Sequence, residues 1–161
     1  GGHNGVWFLD KARGFEAAGK MRSAYLYRFL ASQALSPSPY LYSKEASDFL
    51  RDFLEKPAPP NLPLDKVRPE ETWSVGEGRS LTIVSVAPYL PQSDLTLGVV
   101  YMSELDDPHS QEAGEERRAL FEHMRETFPE YVEAFDSVRV TMRTRGNGKS
   151  HEVFPWEEKA D

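Results

Sequence analysis

The sequence predicts an α+β protein, with a three-helix N-terminal unit followed by a β-β-α-β-β sheet unit. Apolar residues recur at helical spacing up to residue 56, then at a period of two from residue 80. A proline-rich stretch, 57–69, separates the two regimes. Charge changes there as well: residues 1–57 carry eight basic and six acidic side chains, and residues 58–161 carry eleven and twenty.

In the first unit, Phe8, Ala12 and Phe15 form one stripe of a helix that Gly19 would end. Met21 to Leu35 is apolar on most sides, through Tyr25, Leu26, Tyr27, Phe29, Leu30, Ala31 and Ala34, so it is expected to be the most buried helix. Pro37 and Pro39 stop it, because proline lacks an amide proton and clashes with the preceding turn. A third helix is expected from Ser43, an N-cap residue type, burying Ala46, Phe49, Leu50 and Phe53.

The connector PAPPNLPLDKVRP holds five prolines, which fix φ and push their preceding residues out of the α region. It is either a free linker or a strap on the core, and Leu62, Leu64 and Val67 favour the strap.

Residues 80–87 and 95–103 are β-branched and apolar on both faces, as in strands covered on both sides. Glu115 to Phe128 is an amphipathic helix with Leu120, Phe121, Met124 and Phe128 on one stripe. Glu112, Glu115 and Glu116 lie at its start, where the helix dipole favours anions. Pro129 then opens a short extra turn with Tyr131, Val132 and Phe135. Val138, Val140 and Met142 alternate with Arg139, Thr141 and Arg143 in the first strand of a terminal hairpin. Asn147-Gly148 suits a two-residue type I′ turn, and centring the turn there pairs Met142 with Val153 and Arg143 with Glu152.

Composition bounds the chemistry. The chain has 161 residues, enough for one ordinary domain or two small ones. It has no cysteine, which excludes disulfides, thiolate catalysis, cysteine-ligated zinc and iron–sulfur clusters. A net charge of −7 disfavours nucleic-acid and anionic-membrane partners, and no apolar run is long enough to span a bilayer. The opening Gly1-Gly2-His3 lacks an initiator Met, so an exported or cell-envelope product with its leader removed, or a lipoprotein, is one expectation and a cytoplasmic protein the other.

Chemical motifs are sparse. Gly146-Asn147-Gly148-Lys149-Ser150 resembles the end of a phosphate loop, but Arg143 stands where that loop needs glycine. Asp106, Asp107, His109 and Glu112 combine donors that suit a divalent cation, though a solvated acidic loop before a helix has the same composition. No GxSxG elbow or HExxH pair occurs, so no catalytic residue, metal or cofactor is assigned. Arg139, Arg143, Arg145 and Lys149 form a basic stripe, suited to an anionic partner or to protecting an edge strand.

Residues 8–54 resemble a tetratricopeptide repeat with a capping helix, through Phe8, Ala12, Phe15, Gly19, Ala24 and Ala31. A shift of one repeat places Tyr42, Ala46 and Phe49 on Phe8, Ala12 and Phe15. Arg28 departs from the pattern where the family has an aromatic residue. The resemblance implies a groove for a protein or peptide partner, lined by Arg13 and, in the capping helix, Ser47 and Arg51. Three helices followed by sheet are also similar to the cone-shaped fold of nuclear transport factor 2, whose members often enclose a ligand pocket. The helix at 115–128 interrupts that family's long consecutive strands. The sequence therefore favours a non-catalytic interaction or accessory module; the alternative is a small-molecule binder or minor enzyme with a pocket between helices and sheet.

Overall fold

In the computed structural model, which describes residues 3–35, 44–60, 62–64, 68–89 and 94–156, the chain forms two compact units, 1–60 and 61–161. The protein is α+β, with helices preceding a five-stranded mixed sheet.

The first unit holds α1 (Gly5–Ala17), α2 (Met21–Leu35) and α3 (Lys44–Glu55). The Asn4 side chain caps α1 by accepting from the Trp7 amide at 2.9 Å. Gly19, at φ 74°, ends it: Gly19 N–H donates to the Glu16 carbonyl and Lys20 N–H to the Phe15 carbonyl. This is a Schellman close, which favours glycine because a Cβ disfavours the left-handed region. Phe8, Ala12, Ala24, Leu30 and Ala31 are buried, and the alanines let the two backbones approach. Phe15 is only half-buried, its ring 4.9 Å from Tyr27. The expected stop at Pro37 and Pro39, the Ser43 cap, Tyr42 and the apolar stripe Ala46, Phe49, Leu50 and Phe53 lie outside the described residues and side chains.

The second unit runs β1 (Glu71–Ser74), β2 (Ser80–Tyr89), β3 (Thr96–Ser103), α4 (Gln111–Thr127), α5 (Pro129–Ala134), β4 (Ser137–Thr144), β5 (Lys149–Pro155). The strands lie in that order across the sheet; β3 and β4 pair in parallel and the other neighbours antiparallel. A parallel pair cannot be closed by a short turn, so α4 and α5 form the crossover. The sheet unit thus has three strands before its helices, where the sequence predicts two. β1 is short and buries a single large residue, Trp73, so it carries almost no periodic signal. Its turn was the available cue: Gly76, Glu77 and Gly78 all have positive φ, and Val75 N–H reaches the Arg79 carbonyl at 2.9 Å.

Within the predicted connector, Leu62 and Pro63 pack as a strap. Both are buried, and the Pro63 carbonyl accepts from the Val86 amide at 2.9 Å, beside β2 where β1 has ended. Val67 lies outside the described residues.

One face of the sheet carries the core. Ile83, Val86, Leu97, Val99, Val138, Val140 and Met142 are fully buried there, and Leu120, Phe121 and Met124 are the buried stripe of α4. Phe121 stacks on Phe154 at 4.8 Å, an arrangement worth about 1 kcal/mol beyond its buried area.

The hairpin exists in a different register from the expected one. Met142 faces Ser150 and Arg143 faces Lys149, rather than Val153 and Glu152. The reason is the turn. Arg145, Gly146 and Asn147 form a three-residue loop, with Asn147 at φ 65° and Thr144 N–H donating to the Gly148 carbonyl at 2.9 Å. A type I turn followed by one left-handed residue closes such a hairpin, and asparagine tolerates that conformation. The shift puts Phe154 in the core and leaves Val153 54% exposed. Gly148 is thus not the left-handed residue. It is required by contact: a Cβ would sit 2.7 Å from Thr144 Oγ1 and 3.1 Å from Pro108 Cγ.

Gly148→Ala is therefore expected to destabilise by about 1–3 kcal/mol through overpacking. Asn147→Gly, which relieves a positive φ, should be neutral or slightly stabilising. Urea unfolding of both variants checks this, and an Asn147→Gly loss larger than that of Gly148→Ala would contradict the assigned turn.

Candidate functional site

In the helical unit the polar chemistry gathers around Arg28. Its side chain is 8% exposed and ion-pairs with Glu16 of α1. Glu16 also accepts from Lys56, just beyond α3, at 3.4 Å. Burial lowers the Arg28 pKa from its ordinary value; Asp52 of α3 opposes the shift and Arg13 of α1 adds to it. One carboxylate thus joins all three helices at the residue that departs from the repeat pattern. A guanidinium keeps its charge in proteins, so it must be met by a partner when it leaves water.

Arg13, Ser47 and Arg51, the side chains expected to contact a partner, are all exposed. Arg13 lies 3.8 Å from Asp10, and Arg51 donates to Asp48 at 3.0 Å, each one turn away on its own helix. Arg13 borders the Arg28 cluster, and Arg51 precedes Asp52 in α3. The sequence reading missed an aromatic group on another side of α1. Half-buried Trp7 stacks on His3 at 3.6 Å, with Lys11 Nζ 5.5 Å from its ring. Trp7, Lys11 and Phe15 recur every four residues, which was the available signal.

In the sheet unit the polar side chains converge where β3 ends and α4 begins. Glu116 Oε2 accepts from Ser103 Oγ at 2.7 Å and from the Tyr101 hydroxyl at 3.2 Å. Burial, reinforced by Glu116, pushes the Tyr101 phenol well above its ordinary pKa, so it remains a donor at neutral pH. Ser103 Oγ accepts in turn from the Leu105 amide at 3.1 Å. One helical position on, Arg117 donates to Ser150 at 2.7 Å, to the Pro108 carbonyl at 3.1 Å and to Glu152 at 3.4 Å. These two residues fix the 104–110 loop and the hairpin against α4.

That loop borders an open concavity of about 610 Å³ lined by Leu105, Asp106, Asp107, Ser110, Gln111, Glu112 and Glu115. Two of its polar residues hold the backbone. Asp107 Oδ1 accepts from the His109 amide at 2.9 Å, and Ser110 caps α4 by accepting from the Ala113 amide at 3.1 Å. Asp106, Asp107, His109 and Glu112 are all exposed, and among the described residues no group of three or more His, Asp or Glu side chains is arranged to hold a metal ion. No described helix is long and apolar enough to cross a membrane.

His123 of α4 lies 5.7 Å from the Trp73 ring and 6.3 Å from Phe128. Burial lowers its pKa from the ordinary 6.5, with Glu126 opposing. The folded state then takes up the proton less readily than the unfolded chain. The resulting stability is fully present above the unfolded value of about 6.5 and is lost as pH falls through the lowered folded one. His123→Phe should lessen the drop in thermal midpoint between about pH 7.5 and about pH 5.5. An unchanged drop would contradict the assignment.

Glu16→Gln should destabilise the protein by about 3 kcal/mol by leaving Arg28 without its counter-charge, whereas Lys56→Met should change stability by about 1 kcal/mol or less. Equal urea midpoints for the two variants would count against the Arg28 cluster. No family model matches the chain, and no match was found among curated proteins or solved structures.

Proposed function

We propose that the protein is a non-catalytic interaction or accessory module whose helical unit engages a partner protein. The observation that carries this reading is the link that Glu16 makes to both Arg28 and Lys56. It ties α1 to α3, the two helices that present Arg13, Ser47 and Arg51 to solvent. The α1–α2 hairpin, closed at Gly19 and packed through Ala12, Ala24 and Ala31, agrees with a tetratricopeptide-like reading of residues 8–54. Arginine and tryptophan are the residue types that most often dominate protein interfaces, and Arg13, Arg51 and Trp7 are all accessible on this unit. Its surplus of basic side chains suits an acidic partner surface.

The test is affinity capture with the full chain, followed by direct titration of the purified captured protein against wild type and Arg13→Glu/Arg51→Glu. The expected result is one stoichiometric partner whose affinity falls about tenfold or more in the variant, at unchanged melting temperature. A captured protein that binds both forms equally would refute the helical surface as the docking site.

A further inference from the structure

The sheet's second face, opposite the one that α4 covers, segregates charge. Pairing register assigns its positions. Ala87, Gly98, Arg139 and Val153 form one row across β2 to β5; Ser85, Val100, Thr141 and His151 form the next. Met102, Arg143 and Lys149 form a third, and Tyr89, Thr96 and Ser137 close the other end. No strand position on this face carries a carboxylate, in a chain of net charge −7. Glu152 falls on the α4 side, where Arg117 holds it, and Glu104, just past β3, pairs with Arg145 at 2.6 Å.

The face also holds a prearranged anchor. The exposed Tyr89 ring lies over Gly98, where a Cβ would come within 2.5 Å of it, and the Arg139 guanidinium sits 5.6 Å from that ring. Arg139 Nε is buried without a hydrogen-bond partner. Across the ladder from Arg139 is Val153, which with Tyr89 completes the large exposed hydrophobic residues described in this unit. A Tyr–Arg pair beside an exposed aliphatic residue and three further basic groups has the composition of an interface centre with a charged margin.

We propose that the accessible positions of this face bind a carboxylate-rich segment of a partner protein, with Arg139, Arg143 and Lys149 meeting its charges and Tyr89 and Val153 its apolar side chains. Charge complementarity selects the occupant. A nucleic acid fits less well, because the exposed Tyr89 ring is already met by the Arg139 guanidinium and the acidic remainder of the chain repels a polyanion. This surface is separate from the helical one proposed above, and different substitutions test it.

The experiment is fluorescence anisotropy on the full chain at low ionic strength. The probes are a fluorescein-labelled peptide of alternating Glu and Leu, its Gln-for-Glu counterpart, and a thymidine oligonucleotide of equal charge. The Glu peptide is expected to bind, the Gln peptide to bind at least about tenfold more weakly, and added salt to weaken the complex. Arg143→Glu/Lys149→Glu should cost about tenfold or more, at an unchanged melting curve because both side chains are exposed. The milder Arg143→Gln/Lys149→Gln should fall between. Four results would each overturn the proposal: no binding of the Glu peptide, equal binding by the charge-reversed variant, tighter binding of the oligonucleotide, or self-association of wild type that the charge reversal abolishes.

Discussion

The sheet unit is organised by one constraint, the parallel pairing of β3 with β4. Antiparallel neighbours need only a turn, but parallel neighbours require the chain to cross from one end of the sheet to the other. Here α4 and α5 make that crossing, and the contacts of Glu116 with Tyr101 and of Phe121 with Phe154 place α4 against a single face. Every inward position of β2 to β5 follows from that choice. The polar side chains used to seat the helix, Glu116 and Arg117, are also the ones that fix the loop and hairpin at the strand ends.

Both units use enclosed charge in the same way. Arg28, Glu116 and Arg117 each leave water partly or wholly, and each meets more than one partner or interacting charge. Removing a buried charge's partner costs more than the pair itself contributes, so such groups act as constraints on arrangement rather than as a large net source of stability. In a chain without cysteine they join elements far apart in sequence: α1 to α2 and α3, and α4 to β3 and β5.

Much of this fold was legible in the sequence, because periodicity reports burial. The α2, α4 and β3 segments have strong patterns, and Pro129 opens α5 as its fixed φ predicts. What escaped depends on pairing or contact. β1 has one large buried residue and is a strand only because β2 lies beside it. The hairpin register depends on whether its loop holds two residues or three, and Asn147 rather than Gly148 takes the left-handed position. The apolar-on-both-faces reading of 80–87 and 95–103 did not reveal that only one face lies under α4. Of the candidate site residues, the sequence names Arg13, Ser47 and Arg51, which are exposed, but not the Trp7 stack or the Glu116 cluster. The Trp7 stack is local, its partners His3 and Lys11 four residues away, whereas Glu116 is joined to Tyr101 and Ser103 only by the turn of chain into α4.

The assignment of each β4 and β5 position to the face under α4 or to the opposite one stands or falls with the β5 register. The absence of cysteine makes that register directly measurable, since a single introduced thiol is the only one present. Maleimide labelling under native conditions of Val153→Cys and, separately, of Phe154→Cys reports which of the two positions meets solvent. Fast modification at 153 and slow modification at 154 is the predicted result; the reverse order would contradict the assigned register.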